Sequence, residues 1–322
     1  MVAVNPDGIT LYSQVVWSPR KPARPKFRHL VESDKKHNGK VSIHARRKVS
    51  KAIEYLLFMA NDKYLPDTAH GQCYKFKLAF ITLTLPSSQC HSDKVIKDKL
   101  LNQFLVELRY YNNVNNYVWR AEKQANGNIH FHILVDRFVP WSELRDRWNR
   151  IANKLGYVDR YRDEMRKFHE GGFKVRSDLL KNWEYKNQVR AYKAGKANDW
   201  NSPNSTDIHS LQRIHRVKEY VLKYCTKDER DGSVDGRMWG CNFELSDIPG
   251  GHSIAHDSLK SEVARIAAKY PQFRYDGDYF TVLHVSIQEV YDLKCTELYK
   301  VFCQFMLERF NFNVQTRIKT SS

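Results

Sequence analysis

Hydrophobic residues alternate with polar ones along residues 129–136 (IHFHILVD), a pattern that predicts a β-strand with one buried face. Residues 116–124 predict a second strand, and Asn126-Gly127 between the two segments is a pair typical of tight turns. The two strands are therefore expected to form a hairpin. An apolar, β-branched segment at residues 76–85 predicts a further strand, buried within the sheet.

Apolar residues recur at helical spacing in two other segments, residues 93–111 and residues 140–155. Together with the strands they give the element order β-α-β-β-α. This order favours an α+β fold with a central antiparallel sheet and helices packed on one face. The other face of the sheet would then be open and free to carry a functional site.

The pattern weakens outside this region, and the chain is predicted to divide into three parts. They are a basic N-terminal extension (residues 1–60), a main domain (residues 61–230) and a C-terminal α/β extension of unassigned role (residues 231–322). Within the main domain, a polar and charged insertion is expected at about residues 160–206, and a helix is expected at residues 211–227.

The chain is strongly basic, because 53 Lys and Arg residues against 36 Asp and Glu residues give a net charge of +17. Such an excess favours nucleic acid as a partner, although a basic surface that only aids solubility has the same composition. Arg120, Lys123 and Arg137 lie near the hairpin and are candidate contacts to DNA phosphates. Aromatic residues make up 13% of the chain, and those at the surface are candidates for stacking on unpaired bases.

Membrane insertion and secretion are not expected from the sequence. No segment approaches the roughly 18 consecutive apolar residues of a membrane helix, and the N-terminus has no apolar signal core. The six cysteines are scattered and form no CxxC pair, so a structural zinc site of the finger type is not expected. We therefore expect a cytoplasmic protein with reduced thiols.

Two histidines of the hairpin form a candidate metal site with one carboxylate. His130 and His132 are at positions i and i+2 of the predicted strand, so their side chains project from one face. Histidine pairs in strands are more often packing or polar residues than ligands, but here the apolar neighbours are expected to face the helices. Glu122 lies on the partner strand near His130, and Gln124 is the alternative third ligand. Two imidazoles and one carboxylate leave coordination positions open, as catalytic metal sites do.

Two tyrosines of the helix predicted at residues 211–227 form a second candidate group. Tyr220 and Tyr224 are one helical turn apart, and Lys223 and Lys227 have the same spacing. Tyrosine pairs at this spacing usually serve packing alone. The neighbouring ammonium groups favour a chemical role, because they would stabilise the phenolate form of a side chain whose ordinary pKa is about 10.

Three segments of the chain resemble, in the same order, the motifs of the HUH endonucleases of rolling-circle replication. Residues 80–85 (FITLTL) resemble the first motif, and residues 130–132 (HFH) resemble the second, the metal-binding strand. Residues 220–227 (YVLKYCTK) resemble the third motif in its two-tyrosine form. This form points to the replication initiators of microviruses, which are small single-stranded DNA phages. The resemblance spans roughly residues 75–230.

The resemblance implies a fold and a cofactor. The fold is an HUH/RRM-like palm, with the metal and tyrosine site on the open face of the sheet. The cofactor is Mg²⁺ or Mn²⁺, held by Glu122, His130 and His132.

The resemblance also implies a reaction and partners. Tyr224, followed by Lys227, would cut the origin strand, keep a 5′-phosphotyrosine bond and release a 3′-hydroxyl. Tyr220, followed by Lys223, would make the second cut. The implied partners are single-stranded DNA at a replication origin and the host's DNA polymerase and helicase, in the cytoplasm of a bacterial host. A host helicase is expected because the chain has no GxxxxGK[ST] motif.

Other functions remain compatible with these residues. A plasmid initiator or a single-strand transposase would share the chemistry. A conjugative relaxase is disfavoured, because its tyrosine usually precedes the histidines and here it follows them. A non-catalytic, basic nucleic-acid-binding domain is the alternative outside the enzymes.

Overall fold

The computed structural model describes most of the chain. The described residues are 2–5, 8–14, 42–60, 63–67, 72–181, 183–211, 234–246, 251–253, 261–262, 265–266, 268–277, 280–292 and 296–310. They belong to two compact units, one formed by Met1–Lys35 with Asp247–Ser322 and the other by Lys36–Ser246.

The described strands and helices are numbered along the chain. The strands are β1 (Val2–Asn5), β2 (Gly8–Gln14), β3 (Lys63–Asp67), β4 (Gln72–Phe76), β5 (Ala79–Leu83), β6 (Tyr117–Lys123), β7 (Ile129–Val135), β8 (Thr206–Ser210), β9 (Trp239–Cys241), β10 (Gly251–Ser253), β11 (Arg274–Gly277) and β12 (Phe280–Ser286). The helices are α1 (Ile43–Met59), α2 (Asp93–Ile96), α3 (Asn102–Asn112), α4 (Trp141–Ala152), α5 (Tyr157–Phe168), α6 (Tyr185–Ala197), α7 (Phe243–Ser246), α8 (Ile287–Asp292) and α9 (Thr296–Phe310). A π-helical turn (Lys97–Leu101) joins α2 to α3. None of the described helices combines the length and the apolar composition that a membrane span requires.

The larger unit, Lys36–Ser246, is built on a five-stranded antiparallel sheet with strand order β8-β5-β7-β6-β9. A separate two-stranded sheet pairs β3 with β4. The predicted strands at residues 76–85, 116–124 and 129–136 correspond to β5, β6 and β7, which lie side by side. The α+β prediction is therefore confirmed, and the sheet is open rather than closed into a barrel.

The hydrophobic core of this unit lies between one face of the sheet and the helices α2 to α4. Ile81 of β5 and Phe131 and Ile133 of β7 are fully buried against Phe104 of α3 and Trp148 of α4. The two aromatic rings on the helices meet edge to face, with centroids 5.6 Å apart. We call this the helix face of the sheet.

The two helices predicted from apolar spacing are present, and the sequence explains where they begin and end. The first begins after Ser92, whose hydroxyl accepts a hydrogen bond from the backbone N–H of Val95. It runs through α2 and α3 and ends at Asn113, in the left-handed conformation that asparagine tolerates. The second, α4, begins after Pro140, which suits the start of a helix because it has no N–H to satisfy.

The opposite face of the sheet carries the predicted histidines, and we call it the site face. This face is only partly open. Phe80, Val118 and Leu134 project from it and are buried, whereas His130 and His132, nearer the hairpin turn, remain partly exposed. The accessible part of the site face is therefore the end next to the hairpin.

Strand β8 was not predicted from the sequence. It lies at the edge of the sheet and pairs antiparallel with β5, with Asp207 opposite Thr82 and His209 opposite Phe80. Its sequence, TDIHS, has a single aliphatic residue and no recognisable alternation. The predicted insertion at residues 160–206 contains α5 and α6 and ends where β8 begins. Apart from Leu211, the helix predicted at residues 211–227 lies outside the described residues.

The smaller unit joins the two ends of the chain in one sheet. This antiparallel sheet has the order β10-β1-β2-β12-β11, so N-terminal strands lie between C-terminal ones. The predicted division at residues 60 and 230 differs from this arrangement. Helix α1 and strand β9 both belong to the larger unit, whereas β1 and β2 belong to the smaller one. Pairing between strands more than 200 residues apart leaves no local pattern from which it could be predicted.

Candidate metal centre

The structure brings Glu122, His130 and His132 together on the site face. Glu122 lies directly opposite His130 in the β6–β7 pair. Its Oε1 atom is 2.7 Å from Nε2 of His130 and 3.0 Å from Nε2 of His132. The two imidazole rings meet edge to face, with centroids 4.5 Å apart. The three side chains are 12–20% exposed, so the group is accessible but largely shielded from solvent.

The register that makes this group depends on the hairpin turn. Gln124 and Asn128 close the turn through a 2.9 Å backbone hydrogen bond, and Gly127 has a φ of +82°, which favours glycine. The side chain of Asn128 accepts a hydrogen bond from the backbone N–H of Gln89 and donates one to the carbonyl of Ser87. These bonds tie the turn to the segment after β5. A shift of one residue would move Glu122 to the helix face, because side chains alternate along a strand.

Two neighbours on β5 orient His132. Its Nδ1 atom is hydrogen-bonded to the Thr82 hydroxyl at 3.2 Å, which leaves Nε2 directed at Glu122. The ring also lies against Phe80, with centroids 5.1 Å apart. A hydrogen bond to the second ring nitrogen is the usual support of a metal-binding histidine, because it fixes the tautomer and the ring orientation.

Burial and the local charges set the protonation of the group. Burial by itself would raise the pKa of Glu122, but the hydrogen bonds and charges of the two imidazoles outweigh it and hold the pKa well below its usual range. Burial lowers the pKa of His132, and the hydrogen bond to Glu122 only partly opposes this effect. At neutral pH the carboxyl group is therefore ionised and the His132 imidazole neutral, the forms in which both bind metal ions.

The donor set fits a divalent metal ion. The two imidazole nitrogens and the carboxylate oxygen lie within 4.8 Å of one another. Three protein ligands of this kind leave positions for water or substrate, which distinguishes a catalytic site from a closed structural one. Both nitrogen atoms that face the carboxylate are Nε2, so an ion can be held between the three side chains without a change in their rotamers.

Replacing Thr82 with valine tests the support of His132. We expect Thr82→Val to weaken Mn²⁺ binding by about 10- to 100-fold, because the imidazole loses the hydrogen bond that orients it. Calorimetric titration with Mn²⁺ measures this directly. Thr82→Ser should restore the affinity, and Thr84→Val is the matched control, since the Thr84 hydroxyl donates to the backbone carbonyl of Ser205 instead. Equal affinity in Thr82→Val and the wild type would contradict the assignment.

The position of Arg120 differs from the one expected of a DNA contact. Its side chain is only 1% exposed, and its Nε lies 3.9 Å from Oε2 of Glu122. Because Arg120 is two residues from Glu122 on β6, it projects from the same face, and strand pairing places it opposite His132. This position does not fit a surface contact with phosphate; the guanidinium instead adds positive charge beside the Glu122 carboxylate.

Lys123 lies on the helix face, and this position also does not fit the predicted contact with DNA. Its ammonium group is 2.7 Å from the carboxylate of Asp93, which is 5% exposed. Burial disfavours the ionised form of Asp93, but hydrogen bonds from Lys123, Gln89 and the backbone N–H of Asp235 lower its pKa below the usual value. Lys123 thus ties the hairpin to the start of α2. The alternation of side chains already placed Lys123 opposite in direction to Glu122, and this signal was present in the sequence.

The other predicted site residues lie elsewhere. Arg137 is exposed after the end of β7, five residues beyond His132, and its contact with DNA stays a prediction. The two tyrosines and two lysines of the second group lie outside the described residues; they are Tyr220, Lys223, Tyr224 and Lys227.

The structure adds residues to the site face that the sequence analysis did not identify. Asp207 and His209 project from the edge strand β8, opposite Thr82 and Phe80. The Asp207 side chain is 70% exposed, and His209 stacks on Phe80 with ring centroids 5.2 Å apart. No motif could have indicated them, because their place beside the site depends on the pairing of β8 with β5.

Comparison with known proteins gives one similarity. Residues 78–229 match a family of replication-associated proteins, described by its ORF2 member. The match covers slightly less than half of the chain and includes β5 to β8, and therefore the whole candidate metal centre. No curated protein and no solved structure matches the chain significantly. The family match supports a role in replication initiation and, with it, binding to DNA.

Proposed function

We propose that the chain initiates rolling-circle replication of a small single-stranded DNA phage by nicking and rejoining single-stranded DNA at the origin. The observation that carries this proposal is the convergence of Glu122, His130 and His132, with donor atoms within 4.8 Å, inside the segment similar to replication-associated proteins. A basic chain with a net charge of +17 suits a DNA substrate.

The cofactor that we propose is Mn²⁺ or Mg²⁺, held by Glu122, His130 and His132. Such an ion polarises a phosphoryl oxygen and offsets the negative charge that develops in the transition state. Imidazole ligands favour Mn²⁺ over Mg²⁺, which prefers oxygen ligands.

The reaction that we propose is a transesterification by a tyrosine. The phenol oxygen of Tyr224 attacks the phosphorus, an O–P bond to the tyrosine forms, and the bond from phosphorus to the 3′-oxygen breaks. The phenol proton is lost and the leaving 3′-oxygen gains one, so that the protein keeps a 5′-phosphotyrosine and the DNA keeps a 3′-hydroxyl. The new ester replaces the old one, so no ATP is consumed.

The roles of the neighbouring residues follow from this reaction. The ammonium groups of Lys223 and Lys227 stabilise the phenolate form and the developing charge. Tyr220 makes the second cut after a round of synthesis, and the new 3′-hydroxyl then attacks the first phosphotyrosine and releases a circle. A host polymerase extends the 3′-hydroxyl and a host helicase unwinds the duplex, which places the reaction in the cytoplasm of a bacterial host.

Covalent capture of DNA tests the proposal. The full chain is incubated with circular single-stranded DNA and Mn²⁺, and the products are separated under denaturing conditions. We expect a protein–DNA adduct that forms with Mn²⁺, is absent with EDTA and returns when Mn²⁺ is added in excess. A denaturation-resistant adduct that forms equally well in EDTA would contradict the metal-dependent mechanism. Salt-sensitive binding without any adduct would instead favour a non-catalytic binding domain.

A further inference from the structure

Helices α5 and α6 of the insertion and the segments that follow each of them enclose a pocket of about 240 Å³. Aromatic side chains make up most of its wall. They are Tyr161, Phe168, His169, Phe173, Trp183, Tyr192 and Trp200. The metal centre does not use these residues, and the sequence analysis assigned them no role beyond a charged insertion.

The rings around His169 are arranged as stacking surfaces. The imidazole is nearly parallel to the Trp200 indole, with centroids 5.7 Å apart and planes inclined by 11°. It is also nearly parallel to Phe173, at 6.1 Å and 16°, while Tyr192 is tilted against it at 4.8 Å. Burial lowers the pKa of His169, so the ring presents a neutral face at neutral pH.

The backbone holds Trp200 in place by special means. Asp199 and Trp200 have φ values of 53° and 54°, a left-handed conformation that costs energy for a bulky side chain such as tryptophan. The Trp200 indole lies directly over Gly195, where a Cβ atom would be 2.3 Å from the indole nitrogen. Arg166 forms an ion pair with Asp199 and ties the turn to α5. Several independent features therefore place this one ring.

The opposite wall is also fixed. The side chain of Gln188, which is 3% exposed, accepts a hydrogen bond from the backbone N–H of Arg176. It donates to the carbonyls of Arg176 and Trp183. This amide thereby locks the segment before α6 onto the helix. The pocket is thus preorganised before any ligand binds.

The aromatic cluster is not an ordinary hydrophobic core. In the main core, Phe104 and Trp148 are fully buried, whereas no aromatic ring of the pocket is buried and Trp183 is 38% exposed. Apolar rings that stay accessible around a cavity are typical of ligand-binding sites.

The charges at the pocket indicate which ligand it suits. Lys174 and Arg176 line it, and the ammonium of Lys196 lies over the Tyr192 ring at 6.0 Å. Lys174 forms no ion pair with any described residue. Aromatic cages also bind quaternary ammonium groups, but these cations would repel such a ligand. A flat, neutral ring attached to an anionic backbone suits both the stacking surfaces and the basic rim.

We propose that this pocket, which we call the aromatic pocket, binds one unpaired nucleobase of the single-stranded DNA substrate. Its volume lies below the roughly 300–1,000 Å³ of pockets for drug-sized ligands, which fits a single ring system. Trp200 is seven residues before Asp207 on the site face, so their Cα atoms lie within about 25 Å. The aromatic pocket would thus hold a base a few nucleotides from the cleaved phosphate. This inference rests on the proposed function for the identity of the strand.

Paired oligonucleotides test this inference in the full chain. Fluorescence anisotropy compares a labelled oligothymidylate with an abasic oligonucleotide of the same length, which keeps the phosphates and lacks the bases. We expect Tyr192→Leu to weaken binding of the oligothymidylate by roughly 5- to 100-fold, the effect of losing one stacking partner, and to leave binding of the abasic strand unchanged. Tyr110→Leu, at an exposed tyrosine of α3, is the matched control.

The outcomes separate the aromatic pocket from the proposed function. Trp183→Leu is a second pocket variant, so that a failure of Tyr192→Leu to fold, seen by circular dichroism, leaves the inference testable. If either folded variant weakens both oligonucleotides equally, or if both bind as the Tyr110→Leu control does, the inference is overturned. Base-dependent loss of binding in a protein that never forms the covalent adduct would uphold the aromatic pocket and overturn the nicking activity.

Discussion

Replacing His132 with alanine is expected to lower the rate of adduct formation by about 10³-fold or more. A bound metal ion contributes several kcal/mol of transition-state stabilisation, and each 1.36 kcal/mol corresponds to about a factor of ten in rate. His132 is the ligand with the most support, because Thr82 and Phe80 orient its ring and Glu122 faces its Nε2. DNA binding should change little, since affinity for a phosphate backbone depends mainly on cationic side chains.

The matched control for this experiment is His209→Ala. His209 lies on the same face and stacks on the same Phe80 ring, but it is on the edge strand and outside the donor set. Mn²⁺ binding, measured by calorimetry or paramagnetic resonance, should be lost in His132→Ala and retained in His209→Ala. If His132→Ala forms the adduct at the wild-type rate, the metal assignment is wrong. If both variants fail to bind Mn²⁺, the effect is on the local fold and not on a ligand.

Replacing Tyr224 with phenylalanine should reduce the initial adduct by roughly 100-fold or more, because the substitution removes only the oxygen that forms the bond to phosphorus. The adduct is quantified on a denaturing gel after a single round of cleavage, and the linked peptide is identified by mass. Metal binding and DNA binding should both stay at wild-type levels. This combination separates a lost nucleophile from a damaged metal centre.

Tyr220→Phe distinguishes the roles of the two tyrosines. We expect it to preserve the initial adduct and to prevent release of a circular product, since the second cut requires a second phenol oxygen. An unchanged adduct in Tyr224→Phe together with its loss in Tyr220→Phe would exchange the two roles. Full activity in the double variant would show that neither tyrosine is the nucleophile.

Local sequence was sufficient to predict the hairpin and the metal group. The Asn126-Gly127 pair favours a turn, and the two-residue alternation in β7 places His130 and His132 on one face. Glu122 then lies opposite His130 because the turn is short and its length fixes the register. These interactions span fewer than about a dozen residues along the chain, so the pattern of the sequence contains them.

Long-range pairing could not be predicted in this way. Strand β8 is short and polar, and it exists as a strand because β5 offers it hydrogen-bonding partners more than 120 residues away. The joining of β1 and β2 with β12 in a second sheet has the same origin. The predicted domain boundaries at residues 60 and 230 therefore differ from the two compact units.

The sequence by itself determined the α+β class, the hairpin and the three metal-binding candidates, because each depends on periodicity or on a turn between neighbouring segments. Only the tertiary structure decided the environment of the charged residues. It buried Arg120 beside Glu122, paired Lys123 with Asp93, and assembled the aromatic pocket around His169 from α5, α6 and the segments beside them. Burial and charge pairing depend on which distant segments pack together, and a local pattern of residues contains no record of those contacts.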